Sequence, residues 1–183
     1  MNSRTLIGET PGKVGEDVTL MGFVRVVRDQ KNMQFMIIYD QTGALQVVHS
    51  KAESAELAEI ISTLTPESAV ILTGKLVANP GVKLGGIELQ IREIEVANLA
   101  ESPLPITPDS SLELRIDNRH LSLRYAEDQL TMRVQTTMER SMRDFWYENS
   151  FVEIHSPKLL SAASEGGAEL FELPYIFNGW TAY

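Results

Sequence analysis

The sequence contains no cysteine among its 183 residues. This absence excludes a disulfide framework and any metal site built on thiolates. No apolar run is long enough to span a bilayer, and the N-terminal residues lack the basic-then-apolar pattern of a secretory signal peptide. We therefore expect a protein of the cytoplasm with no membrane partner and no metal ligands within these residues.

Positive charge is scarce, with 16 Lys and Arg against 25 Asp and Glu, for a formal net charge of −9. This balance argues against a protein that coats nucleic acid generally. It does not exclude a local basic surface, because attraction to phosphate acts over about 8–10 Å. A glycine-rich phosphate loop of the Walker type is also absent from the sequence.

Five segments rich in β-branched and aromatic residues predict strands. They span residues 17–28, 33–39, 43–50, 70–78 and 87–96. Between the third and the fourth, residues 52–64 repeat apolar side chains at helical spacing, and Pro66 ends that helix. This is the element order of the OB-fold, a five-stranded barrel that binds oligonucleotides. Many small β-rich domains share the order, so it does not by itself select the barrel.

A change of character follows the last predicted strand. Residues 98–112 contain three prolines, which favour an extended, semi-rigid segment, and they predict a linker between a domain at 1–97 and a second at 113–183. Within the second, apolar side chains recur at three- and four-residue steps across 125–149, which indicates a helix whose stripe packs in a core or against a partner. The stripe consists of Leu130, Val134, Met138, Met142 and Phe145.

Three segments in this second part carry a family resemblance. Residues 115–124 (RIDNRHLSLR), 151–157 (FVEIHSP) and 164–171 (SEGGAELF) together resemble the archaeal/eukaryotic-type aspartyl-tRNA synthetases, of class II, subclass b. The Ser-Glu-Gly-Gly-Ala run resembles the aspartate enzymes more than the lysine or asparagine members. The resemblance runs from about Val18 to the end. It implies an N-terminal OB-fold that binds the anticodon, joined to the start of an antiparallel-sheet catalytic domain.

The resemblance also implies a set of anticodon contacts on the barrel. Phe35 would stack on the central anticodon base and Gln46 would hydrogen-bond it, with Arg28 and Glu88 beside them. The chemistry suits these roles, because a phenyl face stacks on any base and an amide offers both a donor and an acceptor. The alternatives are that Phe35 belongs to the barrel core, that Gln46 is a solvated amide, and that Arg28 and Glu88 are ordinary surface charges.

Two positions depart from the family pattern. Arg25 stands where the family often has tryptophan or histidine, and Leu84 stands where proline or lysine is common. In the family these positions bear on whether asparagine tRNA is accepted as well as aspartate tRNA. That question stays open at the level of sequence.

A homodimer interface is the role that the resemblance assigns to the helix at 125–149, a strand at 151–155 and Pro157. Apolar side chains such as Met142 and Phe145 agree with it, because a helix that carries them should seek a partner. The alternative is that Pro157 simply ends an edge strand.

The resemblance places the amino-acid substrate at Ser164, Glu165, Gly166 and Gly167, a loop that closes over aspartate. Glu165 would hold the substrate ammonium by a charge-assisted hydrogen bond; alternatively it is a solvated glutamate. Aspartate would attack ATP to give an aspartyl adenylate, and the tRNA would then take the aspartyl group. The family's ligands for ATP and Mg²⁺ would fall beyond Tyr183. We therefore expect no catalytic residue within these 183 residues and no adenylation by them alone.

Three functions compete on this evidence. The first is the N-terminal portion of an aspartate–tRNA ligase. The second is a stand-alone tRNA-binding module, which the amino-acid loop argues against. The third is an asparagine-type synthetase or an aspartate-activating paralog such as an amide-forming ligase, and the barrel argues against such a paralog.

Overall fold

The computed structural model describes residues 4–157, 173–175 and 180–182. By its internal contacts the chain divides into two compact units, Met1–Leu114 and Arg115–Tyr183. Among the described residues, none of the helices combines the length and the apolar character needed to cross a bilayer.

The first unit is a closed five-stranded barrel. Its strands are β1 (Asp17–Asp29), β2 (Met33–Asp40), β3 (Gly43–Ser50), β4 (Ala69–Ala78) and β5 (Ile87–Asn98). They hydrogen-bond in the order β1-β2-β3-β5-β4, and β4 pairs with β1 to close the sheet. Every pairing is antiparallel except β3 with β5. This arrangement is the OB-fold, so the predicted fold class is confirmed.

The barrel interior is filled by alternate residues of each strand. On β2, Gln34, Met36 and Ile38 are buried, whereas the residues between them are only half-buried. Because successive side chains of a strand point to opposite faces, the half-buried set faces outward. The interior side chains with the least exposure include Leu20, Val24, Val47, Leu72, Leu76 and Leu89.

Two helical segments belong to the barrel unit. Helix α1 (Ala55–Thr63) begins at Ser54, whose hydroxyl accepts a hydrogen bond from Leu57 N at 3.2 Å. Leu57 and Ile61 lie in the barrel core, which fixes the inward face of the helix. A 3₁₀ helix (Ile7–Lys13) is held to the β2–β3 turn, because Ile7 N donates to Asp40 Oδ2 at 3.0 Å.

A bulge and a close backbone approach shape β1 and β4. The register of β1 on β2 shifts between Val24 and Val26, so Arg25 is the extra residue. On β4, a side chain at Gly74 would place its Cβ 2.2 Å from the carbonyl oxygen of Gln90. Only glycine fits at that position without moving the backbone.

Helices α2 (Leu112–Asp117), α3 (Arg119–Ser122) and α4 (Ala126–Glu148) follow the barrel strands. A two-stranded antiparallel sheet pairs β6 (Leu173–Tyr175) with β7 (Trp180–Ala182). Helix α4 agrees with the predicted helix at 125–149, with Tyr125 and Asn149 as its caps. The strand predicted at 151–155 is wrong, because residues 151–157 lie outside any helix or strand. A strand forms only with a hydrogen-bonding neighbour, and no described residue pairs with this segment.

Candidate nucleic-acid interface

The predicted anticodon residues lie together on one outward surface of the barrel. Arg28 on β1 is the register partner of Phe35 on β2. Gln46 on β3 lies one row away, opposite Ile37 on β2 and opposite Glu88 on β5. We call this surface, which carries Arg28, Phe35, Gln46 and Glu88, the β2–β3 face. Closure of the barrel thus brings side chains from four strands into two adjacent rows.

Phe35 faces outward on β2. The residues on either side of it are buried, and Phe35 itself is half-buried. It lies between Arg28 and Val48 in the sheet register. The ring therefore does not belong to the barrel interior. Its position on the outer face suits the stacking of an unpaired base.

Gln46 and Glu88 form a hydrogen-bonded pair at the centre of this face. Gln46 Nε2 donates to Glu88 Oε2 at 3.0 Å, and Glu88 is buried. The parallel pairing of β3 with β5 places the two residues directly opposite each other. Because an ionised carboxylate only accepts hydrogen bonds, the amide nitrogen must face Glu88. Gln46 is thus an oriented amide whose Oε1 remains as an acceptor for a ligand.

The Arg28 end of the face carries both signs of charge. Lys51 Nζ lies 2.5 Å from Asp29 Oδ1. The hydrogen bond and the positive charge of Lys51 lower the pKa of Asp29. Arg28, next to Asp29 in the chain, is exposed. Lys51 is thus matched by a carboxylate, while the exposed guanidinium of Arg28 is positioned to meet a phosphate or a base edge.

Arg25 belongs to a compact polar cluster at the other end of β2. Its guanidinium carbon lies 4.0 Å from the centre of the Tyr39 ring. Arg25 Nη1 donates to Glu67 Oε1 at 3.3 Å, and the Tyr39 hydroxyl donates to Glu67 Oε2. Tyr39 also contacts Phe23, with ring centroids 5.8 Å apart. We call Arg25, Tyr39 and Glu67 the Arg25 cluster.

Sequence reasoning missed Tyr39 and Glu67. The two-residue period of β2 was enough to find Tyr39, which shares the outward side with Phe35. Glu67 offers no such signal, because it lies in the turn before β4 and reaches Arg25 only through the folded barrel.

Leu84 lines a pocket of about 360 Å³ at one end of the barrel. The 3₁₀ helix, the β2–β3 turn and the β4–β5 loop form its walls, which include Thr10, Thr42, Ala44, Lys83 and Leu84. Ala44 is also the register partner of Tyr39. The pocket that Leu84 lines therefore reaches the strand position opposite Tyr39.

An apolar surface dominates α4 in the second unit. Phe145 is 59% exposed and Met142 46% exposed, and the rest of the stripe is also uncovered. The other exposed members are Leu130, Val134 and Met138, and Trp146 next to the stripe is exposed as well. Such a stripe is typical of a surface that a partner covers.

The segment after α4 is held to the end of that helix. Glu153 accepts hydrogen bonds from the Tyr147 hydroxyl at 2.7 Å and from Arg143 Nε at 3.2 Å. Both hydrogen bonds lower the pKa of Glu153, and the bond from Tyr147 has the larger effect. A pocket of about 310 Å³ lies here, lined partly by Trp146 and Phe151.

The remaining predicted site residues lie away from the barrel face or outside the described residues. Pro157 is exposed and lies in the irregular segment after α4. Ser164, Glu165, Gly166 and Gly167 lie outside the described residues. In the part of the chain that the structure describes, no group of three or more His, Asp or Glu side chains could hold a metal ion.

Comparison with known families divides the chain in the same order as the structure. Residues 18–97 match a family model described as an OB-fold nucleic acid binding domain. Residues 111–182 match a model of class II tRNA synthetases (D, K and N).

Individual relatives agree with these matches. The chain is 36% identical over 172 residues to the aspartate–tRNA(Asp/Asn) ligase of Methanopyrus kandleri, covering 91% of this chain and 40% of that protein. It is also 36% identical over 167 residues to the aspartate–tRNA(Asp) ligase of Thermococcus kodakarensis, covering 88% and 38%. Among solved structures, the asparaginyl-tRNA synthetase of Pyrococcus horikoshii with asparaginyl-adenylate superposes with a TM-score of 0.90 at 30% identity, over 100% of this chain and 42% of that one. The chain thus spans about two fifths of the length of these relatives.

Proposed function

The chain is a homologue of the archaeal-type aspartyl-tRNA synthetases that spans about 40% of their length, and on this premise we propose that its barrel binds the anticodon of a tRNA. The observation that carries the proposal is the β2–β3 face, where an outward phenyl ring lies beside an oriented amide and an exposed arginine. Proteins that recognise RNA loops by sequence combine stacking with hydrogen bonds to base edges.

Each residue of the face takes a distinct part in the proposed complex. The central anticodon base stacks on Phe35. Gln46 Oε1 accepts a hydrogen bond from that base, because Glu88 engages the amide nitrogen. This arrangement favours uracil, whose N3–H is a donor, over cytosine, whose N3 is an acceptor. Arg28 contributes positive charge at the edge of the face, where it pairs with phosphate or a base edge.

A titration of an aspartate-type anticodon stem-loop against the purified chain tests this function. Base stacking is worth about 1–3 kcal/mol, so Phe35→Ala should raise Kd by about 5- to 150-fold. Phe151→Ala is the matched control, because it removes an exposed ring that is not part of the barrel. Equal affinity of the wild type and Phe35→Ala for the stem-loop would contradict the stacking role.

We further propose that the parent ligase joins aspartate to tRNA at the expense of ATP. In that enzyme Ser164, Glu165, Gly166 and Gly167 surround the amino acid, and Glu165 holds its ammonium group. The family resemblance implies that the ligands for ATP and Mg²⁺ fall beyond Tyr183. On that basis a polypeptide of these 183 residues binds tRNA without adenylating aspartate. Aspartate-dependent exchange of pyrophosphate into ATP by this polypeptide would refute that statement.

Two further roles belong to the same proposal. Arg25 and Leu84 bear on whether asparagine tRNA is accepted in addition to aspartate tRNA. Met142, Phe145 and Pro157 take part in a homodimer interface, which the uncovered stripe on α4 supports. A stand-alone tRNA-binding module is less favoured, since residues 111–182 match the class II synthetase model.

An asparagine-specific synthetase is the second candidate. It is favoured by the superposition on the Pyrococcus horikoshii asparaginyl enzyme. The two relatives compared by sequence above are named as aspartate–tRNA ligases, which favours the first candidate. Aminoacylation by the full ligase with each of the two amino acids decides between them.

A further inference from the structure

We propose that the surface for the anticodon strand extends beyond the β2–β3 face, across β5 to β4, where Lys75 pairs with a backbone phosphate of the RNA. The inference rests on the proposed anticodon-binding function. It adds Gln90 and Lys75 to that function and assigns the outer side of β4 and β5 to the nucleotides beside the central base.

A single row of register partners carries the argument. The row begins at Arg28 on β1 and passes to Phe35 on β2 and then to Val48 on β3. The parallel pairing of β3 with β5 continues the row to Gln90, and the pairing of β5 with β4 continues it to Lys75. Because register partners lie on the same side of a sheet, Gln90 and Lys75 share the outer side of the barrel with Phe35. We call these five residues the Phe35 row.

The exposure of the side chains agrees with this placement. Gln90 and Lys75 are both exposed. Leu89 and Leu76, their neighbours in the chain, are fully buried and belong to the barrel core. Since neighbouring strands lie about 4.8 Å apart, Lys75 is about 14 Å along the surface from Phe35. The phosphates that flank a base stacked on Phe35 therefore lie within reach of the long Lys75 side chain.

The charges around Lys75 leave it available to an anion. In the part of the chain that the structure describes, Lys75 has no carboxylate within ion-pair distance. Its register partner on β1 is Asp17, whose carboxylate lies 2.9 Å from Arg92 Nη1 instead. The exposed carboxylate of Glu93 lies opposite Thr73, one outward position further along the strands, and its negative charge borders the row on that side.

The chemistry of the row matches a single RNA strand. Proteins that bind single strands combine positive groups that follow the backbone with rings on which bases stack. Arg28 and Lys75 supply positive charge at the two ends of the row, and Phe35 supplies the ring between them. The exposed amide of Gln90 can donate to a phosphate or to a ribose 2′-hydroxyl. An ammonium group is a point charge without preference for a base, so Lys75 contributes affinity rather than specificity.

The salt dependence of binding to an anticodon stem-loop tests the role of Lys75. Each phosphate neutralised on a single strand contributes about 0.7 to the slope of log K against log salt concentration. Lys75→Gln should therefore reduce this slope by about 0.7. At low salt it should raise Kd about two- to fivefold, by the same factor for every central base. Lys75→Arg keeps the charge and should keep the slope. A merely structural role would instead lower stability in chemical denaturation and leave the slope unchanged.

Matched variants separate the possible outcomes. Arg140→Gln removes one positive charge from α4, outside the barrel, and should leave the slope unchanged. Gln90→Glu places a negative charge in the row and should weaken the binding of every stem-loop. A wild-type slope in Lys75→Gln, or an equal reduction in Arg140→Gln, overturns the inference. Unchanged binding in Phe35→Ala refutes anticodon binding itself, whereas weaker Phe35→Ala binding with a wild-type slope in Lys75→Gln refutes only the extension to β4.

Discussion

Replacing Glu88 by glutamine should abolish much of the preference for uracil as the central anticodon base. In the wild type, Gln46 Nε2 donates to Glu88 Oε2 at 3.0 Å. Turning the amide over would bring Gln46 Oε1 against the carboxylate, so two acceptors would meet. The substituted amide can donate or accept, so Glu88→Gln leaves both orientations of Gln46 open.

The magnitude follows from that hydrogen bond. A hydrogen bond to a charged group contributes about 1.5–3 kcal/mol, so the wild-type orientation is favoured by about 10- to 150-fold. With two nearly equal orientations, Gln46 presents an acceptor to uracil or a donor to cytosine with similar ease. The ratio of affinities for the two loops should then fall from about tenfold or more to roughly twofold.

Fluorescence titration with stem-loops that differ only at the central base measures this ratio. Glu88→Gln keeps the size of the side chain, and Gln46→Ala should remove the preference altogether. Glu95→Gln is the control, because Glu95 lies on the same strand and is exposed. An undiminished uracil preference in Glu88→Gln, with wild-type stability, would refute the account of an oriented amide.

Three further predictions concern stability and assembly. Gly74→Ala should lower the free energy of unfolding by about 1–3 kcal/mol in chemical denaturation, because the new Cβ would lie 2.2 Å from Gln90 O. Gly12→Ala is the control, because a Cβ at Gly12 meets nothing within 4 Å. Burial raises the pKa of Asp40, but hydrogen bonds from Ile7, Thr42 and Gly43 outweigh it and hold the pKa below the ordinary 3.8. The ionised carboxylate of Asp40 therefore stabilises the fold above that pH, and its contribution is lost on acidification. The difference in unfolding free energy between wild type and Asp40→Asn should shrink from roughly pH 5 to pH 2. A difference that stays constant over this range would contradict the prediction. Met142→Asp should weaken self-association in sedimentation equilibrium and Arg140→Ala should not, because Met142 lies in the apolar stripe of α4; a wild type that is monomeric at every concentration contradicts the proposed interface.

Local patterns in the sequence predicted the strands and the helix of the barrel, whereas the family resemblance supplied the candidate site residues. The two-residue alternation of β2 puts Phe35 on the side opposite to Met36, whatever the rest of the chain does. Helical spacing likewise predicts α4 and its apolar stripe. The strand predicted at 151–155 failed because strand formation depends on a neighbour, which is not a property of the segment itself.

The sequence by itself therefore determined the barrel strands, helix α1 and helix α4, because these follow from backbone periodicity. Only the tertiary structure decided the partners. Gln46 meets Glu88 and Arg25 meets Glu67 across 42 residues of chain in each case. The first contact requires the parallel pairing of β3 with β5, and the second requires a bulge and a left-handed turn. Those features arise when the barrel closes, since closure alone fixes which distant backbones share hydrogen bonds.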